Sequence, residues 1–327
     1  MGNIPILRSR PLWPIDTVER STVPQSLNPS ADDLSRRLAD AGYIAGEELA
    51  LVCWLAIVLE RPLLVEGPAG VGKTDLARAL SQALERELIR LQCYEGLDEA
   101  RALYEWNYAK QILYAQLLRD AITSRTADAR SLPEAADRLV GSEETFFSKR
   151  FLIERPLLRA LTSEAPVVLL IDEVDRADTE FEALLLELLA EQQVTIPELG
   201  TVRGKTAPLV VLTSNATRDV SDALRRRCLH AFVDYPPPSR EQAILALRIP
   251  GLGEDLAAQL TKFVHAVRAL DLQKAPSISE TIDWARALIA LGASALDADL
   301  VKTTLGVLLK YADDRAKAEA KLGTLIR

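Results

Sequence analysis

Gly67-Pro68-Ala69-Gly70-Val71-Gly72-Lys73-Thr74 is the stretch from which the rest of the chain can be read. It follows the pattern G-x-x-x-x-G-K-[ST]. Before it runs a short apolar strand, Leu63-Leu64-Val65, preceded by Pro62, which suits a strand's first position. After it comes a helical period, with Leu76, Leu80 and Leu84 on one stripe and Ala77 and Ala83 beside them. The glycines let the backbone curl until successive N–H groups face one phosphate, and the helix N-terminus adds its positive end. In such a loop Lys73 reaches the β- and γ-phosphates of a nucleotide, and the Thr74 hydroxyl holds Mg²⁺. A Gly-rich turn arising by chance would have no need of this strand–loop–helix frame. Nucleotide binding by Gly67, Pro68, Ala69, Gly70, Val71, Gly72, Lys73 and Thr74 is the first expectation.

A phosphate loop does not say what happens to the phosphate. Val167-Val168-Leu169-Leu170-Ile171, bounded by Pro166 and Asp172, suits a central strand covered on both faces. Asp172 at its carboxyl end can hold a water of the Mg²⁺ shell. Glu173, one residue later, can take a proton from a water attacking the γ-phosphorus. Adjacent carboxylates with split roles indicate hydrolysis rather than transfer to a bound acceptor; the alternative is an acidic approach to the next helix. A third apolar run, Leu209 to Leu212, ends at Thr213-Ser214-Asn215. The Asn215 amide suits either a γ-phosphate or attacking water, or an Asx-turn leading into the following helix. For Arg225-Arg226-Arg227 three readings compete: a basic helix end, a nucleic-acid patch, or an arginine that reaches a phosphate in a neighbouring subunit.

The chain as a whole bounds the function classes. Its 327 residues suggest two domains, and few aromatics, 5%, against abundant Leu and Ala predict much helix. A formal net charge of −8 argues against nucleic acid as the main partner, because phosphate neutralisation wants a basic face. Cys53, Cys93 and Cys228 form no C-x-x-C pair; the first two are expected in apolar surroundings, and two histidines leave little for a zinc site. The N-terminal stretch has no apolar h-region, and the most apolar run, Leu49 to Leu59, is too short to span a bilayer. A cytoplasmic protein with no membrane span is expected.

Along the chain, residues 1–30 carry five prolines and read as an extended arm. Helices are expected over 31–40, closed by Gly42, and over Glu47–Glu60 with Leu51, Trp54, Leu55 and Val58 inward. A second strand, Leu88–Leu91, ends at Gln92. Asp98–Asp120 reads as one long helix carrying Tyr104, Trp106, Tyr108 and Tyr114, packed in the core or facing a partner. Residues 124–148 look like an insertion or mobile loop, and Phe151–Leu161 like a helix. Thr179 and Glu182 suggest a capping box on a helix with Leu185, Leu188 and Leu189 inward, and 194–202 a hairpin. A helix near Asp219–Arg227 and a strand at Ala231–Val233 precede Pro236–Pro238, the expected domain boundary. Beyond it helices are expected at 240–248, 254–270, 278–291 and 297–310. The expected architecture is α/β: a parallel-sheet domain over 31–235, then a small helical domain over 239–327.

Taken together, G-P-A-G-V-G-K-T, V-V-L-L-I-D-E-V-D-R-A-D, L-T-S-N-A-T-R, L-R-R-R-C and a helical C-terminal region resemble an AAA+ ATPase, a P-loop NTPase fold, over about residues 43–320. The R-A-D at 176–178 and the hairpin breaking the next helix look like the MoxR family. Gln92 to Asp98 and Leu103 to Tyr108 resemble its CoxD branch, associated with maturation of molybdenum hydroxylases such as aerobic carbon monoxide dehydrogenase. The resemblance implies that Lys73 and Thr74 are the Walker A residues, Asp172 and Glu173 the Walker B pair, and Asn215 sensor 1. It implies an arginine finger at Arg227, with Arg226 in reserve, and a Gln92 that couples ligand state to Glu173. The hairpin resembles the helix-2 insert, on the pore or client side of a ring. The sequence departs from many relatives around Ser277–Thr281, where a sensor-2 arginine is lacking; Arg286 stands about a turn and a half later. The implied function is a Mg²⁺-dependent, ATP-hydrolysing remodelling chaperone. It would act as a ring oligomer, expected to be a hexamer, with a von Willebrand A-type adaptor and a molybdenum-hydroxylase client. Two alternatives remain: a DNA-associated AAA+ motor or loader, and a nucleotide-gated scaffold without significant turnover.

Overall fold

Apolar runs that lack polar alternation need cover on both faces, and the main sheet supplies it. A computed structural model describes residues 30–117, 148–197 and 199–326. The expected arm, apart from Ser30, and the expected loop at 124–148, apart from Ser148, lie outside the described residues. Strands β1 (Leu63–Glu66), β2 (Leu88–Gln92), β5 (Val168–Asp172), β8 (Leu209–Ser214) and β9 (Leu229–Phe232) form one sheet in the order β2-β5-β8-β1-β9. Every pairing in it is parallel. Successive residues alternate between faces. Leu64, Ile89, Leu91, Leu169, Ile171, Val210 and Leu212 join one core with the helices Pro156–Thr162 and Thr179–Glu191. Leu63, Val65, Val168, Leu170 and Val211 join a second with Ala31–Asp40, Glu47–Val58 and Lys73–Ala83. The result is three layers around a sheet whose β1, β5 and β8 are wholly buried.

Register then decides what stands at the sheet's carboxyl edge. Gln92 lies opposite Asp172, and Glu66 opposite Ser214. The phosphate loop leaves β1 on this edge, beside the ends of β5 and β8. Ligands of open parallel sheets bind in the crevice outside the carboxyl ends of the strands.

Several local expectations are corrected. The stretch expected as one helix from Asp98 is a single turn, Glu99–Ala102, then a strand β3 (Tyr104–Trp106), then a helix Tyr108–Leu117. β3 pairs antiparallel with β4 (Leu152–Glu154), so the expected helix Phe151–Leu161 is divided as well. Pro156 explains that division: it forces Arg155 into extended backbone and opens the helix Pro156–Thr162 at its first turn. Of the aromatics, Trp106 is buried, Tyr104 and Tyr114 pack against the core, and Tyr108 is exposed. In Glu47–Val58 the buried side is Ala50, Cys53, Ala56 and Ile57, while Leu51 and Val58 are exposed. Beyond Glu47 and Glu48 that helix is apolar all round, so its sequence carries little information about orientation. No Thr179–Glu182 capping box forms. Asp178 is the cap, accepting from the Phe181 amide, and the buried Glu182 carboxylate takes Arg218 and the amide of Ser221 instead.

The hairpin is present as β6 (Gln193–Ile196) and β7 (Gly200–Arg203), with Val194, Ile196 and Val202 turned into the core. It leaves the preceding helix through Gln192 in left-handed backbone. Among the described residues no helix is long and apolar enough to cross a membrane.

From Pro238 onward the chain is helical: Pro238–Arg248, Glu254–Arg268, Ile278–Ala290, Ala298–Leu308, Ala312–Ala320 and Leu322–Leu325. Its core is built on Phe263 and Trp284, with ring centroids 5.2 Å apart, and Trp284 donates to the Thr304 hydroxyl. Glu241 is fully buried here, yet fully partnered. Arg268 meets both its oxygens, at 2.6 and 2.8 Å, and His265 Nε2 lies 2.8 Å from Oε2. Arg268 also donates to the Pro276 carbonyl and stacks over Tyr235, so one guanidinium ties the entry to the helical region to three of its segments. Arg268→Met should leave a buried carboxylate without its main cation, at a cost of about 3–5 kcal/mol. Urea unfolding followed by tryptophan fluorescence checks this; a midpoint equal to that of the unmutated chain would show that the pair is dispensable.

Candidate functional site

The loop Gly67–Thr74 can adopt its path only because of its glycines. A Cβ on Gly67 would lie 2.0 Å from the Val233 carbonyl oxygen, and one on Gly70, at φ +78°, would lie 2.2 Å from Ser277 Oγ. The loop feeds the helix Lys73–Ala83, whose first amides have no partner within the helix and point back into the loop. That is an anion-binding concavity in both geometry and sign.

Lys73, only 6% exposed, donates to the Gly67 and Pro68 carbonyls at 2.8 and 2.7 Å and to Asn215 Oδ1 at 2.8 Å. Burial draws its ammonium below the usual lysine range, against the opposing pull of Asp175, Asp172 and Glu173. The Thr74 hydroxyl lies 2.9 Å from Asp172 Oδ1. Loop and β5 therefore meet through two side chains that could hold a hydrated Mg²⁺. The donor set fits: a hydroxyl and a buried carboxylate are hard oxygen ligands, set beside an anion cradle.

Asp172 is 3% exposed and does not stand alone. Its oxygens also accept from Thr213 Oγ1 at 2.5 Å and Arg90 Nη2 at 2.7 Å. Glu173 has left-handed backbone, φ 57°, a conformation that costs a non-glycine residue about 1–3 kcal/mol. Its amide donates to Thr213 Oγ1, which helps hold the turn. The turn carries its carboxylate to Gln92 Nε2 at 3.1 Å, Asn215 Nδ2 at 3.3 Å and Arg176 Nε at 3.2 Å. Asn215 thus bridges Lys73 and Glu173. It does not cap the following helix, Asp222–Arg227, where Ser221 accepts from the Leu224 amide.

The arginine cluster divides. Arg225 makes a bidentate pair with Glu66 at the end of β1, at 2.7 and 3.0 Å, and His230 joins the same carboxylate. Arg226 and Arg227 are exposed at the helix end; among the described residues the Arg227 side chain donates only to the Ala223 carbonyl. Arg61 caps that end by donating to the carbonyls of residues 226, 227 and 228. Arg286 pairs with Asp283 on an exposed helix face. From the helical region Ser277 packs against Gly70, and the Ser279 amide and hydroxyl both donate to the Gly70 carbonyl, at 3.3 and 3.2 Å. A cleft lies between the two parts, lined among others by Tyr43, Ile44, Val71, Gly72, Val233 and Ile278. Tyr43 rests on the loop, its ring 3.5 Å from where a Cβ of Gly72 would stand.

Reading the motifs alone misses four participants. Arg90 and Arg176 give each acidic residue its own guanidinium, and Thr213 braces both acids. Asp175 is the fourth: it accepts from the Asn215 amide and from the amide and hydroxyl of Thr217, and so fixes the turn after β8. Burial by itself would raise its carboxyl, but those donors outweigh it and hold the group below the ordinary range. The strand period was the available signal for Arg90, which shares a face with Gln92. The cysteines take no part in this chemistry: burial pushes the Cys93 thiol up to about 12, with nearby acidic charges adding to the effect.

Residues 50–202 match the AAA ATPase domain. The denitrification regulatory protein NirQ of Stutzerimonas stutzeri is 22% identical over 67% of this chain and 68% of its own. Protein NorQ of Paracoccus denitrificans is 23% identical over 69% of this chain and 71% of its own. Among solved structures, a point mutant of RuvB from Thermotoga maritima aligns over 88% of this chain and 72% of its own, with 16% identity and a TM-score of 0.46. With its phosphate loop, its parallel five-stranded sheet and its helical C-terminal region, the chain has a P-loop NTPase fold that contains a match to the AAA ATPase domain and is similar to NirQ and NorQ over about two thirds of its length.

Proposed function

We propose that this chain hydrolyses ATP, with Mg²⁺, as a remodelling chaperone that works in a ring and acts on a metalloenzyme during cofactor assembly. One observation carries the hydrolytic part: Glu173 is held in left-handed backbone beside the Thr74–Asp172 contact and is ringed by Gln92, Asn215 and Arg176. A carboxylate so oriented can take a proton from water. In this reading Lys73 and the loop amides bind the phosphates, and Thr74 and Asp172 hold the metal. Mg²⁺, when bound, supplies positive charge against the triphosphate. Asn215 orients the water through the same amide that touches Glu173.

The ring reading rests on the exposed guanidiniums of Arg226 and Arg227. Arg225 is bound to Glu66 within its own chain, which leaves its two neighbours as candidates to complete a second subunit's site. A hexamer, a von Willebrand A-type adaptor and a molybdenum-hydroxylase client are proposals from family resemblance, and the CoxD branch rests on the segments Gln92–Asp98 and Leu103–Tyr108.

Glu173→Gln is expected to retain ATP binding while phosphate release falls by about 10²–10⁴. A turnover equal to that of the unmutated protein would remove Glu173 as the base. In a pull-down with ATP present, the same variant should hold adaptor and client together; recovery of the chain alone would count against the chaperone reading. Arg227→Ala should bind nucleotide normally and lose about 10³–10⁵ in hydrolysis. Mixing it with Lys73→Ala subunits, which lack a working cradle but keep Arg227, should restore part of the rate. No rescue at any mixing ratio would argue against a site shared between subunits.

A further inference from the structure

Strand β2 has the burial pattern of a half-covered edge strand: Ile89 and Leu91 are 4% and 5% exposed, with Arg90 exposed between them. Period-two alternation puts Arg90 and Gln92 on one face. Parallel register sets Gln92 opposite Asp172 and Arg90 opposite Leu170. One guanidinium nitrogen, Arg90 Nη2, therefore reaches both Asp172 Oδ2 and Gln92 Oε1, each at 2.7 Å. With its carbonyl so engaged, the Gln92 amide points its NH₂ at Glu173. A single charge thus touches the carboxylate expected to serve the metal and orients the amide that touches the expected base.

The Asp172 carboxylate has room for about four donors. Thr213 and Thr74 approach Oδ1, while Arg90 and a longer contact from Thr74, 3.2 Å, occupy Oδ2. A water from a cation's hydration shell needs one of those places. Thr213 is 1% exposed and fixed in β8. The Arg90 side chain is half exposed and can turn into solvent. Thr74 is itself expected at the metal, so of the remaining partners of Asp172 Arg90 is the one that can leave, and it is also the one whose charge repels a divalent cation.

We propose that Arg90 is a positioning residue that competes with Mg²⁺ for Asp172 and so sets how much Mg²⁺ the nucleotide site requires. The inference rests on the Mg²⁺–nucleotide reading given above and assigns a regulatory contact within that site. Binding of a fluorescent ADP analogue, titrated with Mg²⁺ and repeated in EDTA, tests it on the full chain. Arg90→Met should lower the half-saturating Mg²⁺ by about tenfold or more, the scale expected for removing a cation a few ångströms away. In EDTA the same variant should bind the nucleotide more weakly, because a positive charge near the phosphates is gone. Opposite shifts in the two conditions separate the proposal from a merely damaged fold, which would weaken both. Arg90→Lys should return the Mg²⁺ curve toward the original, and Arg90→Gln serves if the Met variant does not fold. An Mg²⁺ curve for Arg90→Met that is unshifted, or moved to higher concentration, overturns the proposal while the metal reading stands. Nucleotide binding by the unmutated chain that is indifferent to Mg²⁺ overturns both.

Discussion

The hydrogen bond from Thr74 to Asp172 is the constraint around which the site is arranged. Asp172 ends an interior strand, and its carboxylate is almost fully withdrawn from water. A buried carboxylate is tolerated only if donors saturate it. Here the donors come from three directions: the phosphate-loop helix through Thr74, β8 through Thr213, and β2 through Arg90. Each of them requires the parallel register that sets the ends of β2, β5 and β8 in one row. Shift any of these strands by one residue and its side chains change faces, which would leave the charge unpartnered. The same hydrogen bonds that serve the site therefore also select the strand register.

The contacts around Asn215 follow the same logic. Asn215 lies between Lys73 and Glu173, and its turn is held by Asp175, itself buried. Three acidic and three basic side chains, Asp172, Glu173 and Asp175 with Lys73, Arg90 and Arg176, lie within a few residues of the sheet's edge. Mutual pairing lets these groups crowd a place where Lys73, Asp172 and Asp175 are buried while Arg90 and Arg176 reach toward solvent. It also means that a ligand bringing phosphate charge and a divalent cation must exchange partners with groups already paired, not simply add to them.

How much of this the sequence disclosed depended on how local each signal was. The phosphate loop, β1, β5 and β8 were legible because a fully buried parallel strand is an uninterrupted apolar run and the loop has fixed spacing. Helix boundaries near 104–106 and 152–154 were not, because β3 and β4 are three-residue strands that exist only through pairing with one another. No periodicity can be read from three residues, and Tyr104-Glu105-Trp106 sits in a helix pattern as well as in a strand. The orientation of Glu47–Val58 was misread for the opposite reason: beyond Glu47 and Glu48 the helix is apolar all round, which gives every face an equal claim to the core. Glu182 looked like the far half of a capping box, but its carboxylate answers to Arg218 and Ser221, about forty residues on, and tertiary contacts of that range leave no local mark.

The join between the two parts of the chain combines neutral contacts with one half-exposed ion pair, Arg248 with Asp75 at 3.4 Å. Where a sensor-2 arginine was sought, the helix Ile278–Ala290 begins with a Ser277–Glu280 capping box, and the neutral side chain of Ser279 meets the Gly70 carbonyl. Two neutral hydrogen bonds of this kind are worth about 1 kcal/mol each. By contrast Arg268, deep in the helical region, binds Glu241 and Pro276, with Tyr235 stacked against it at the region's entrance. The helical region is thus bound tightly within itself and only lightly to the phosphate loop. That asymmetry lets the helical region keep its own shape, fixed by buried charge, while its seat on Gly70, held by weaker contacts, is free to change.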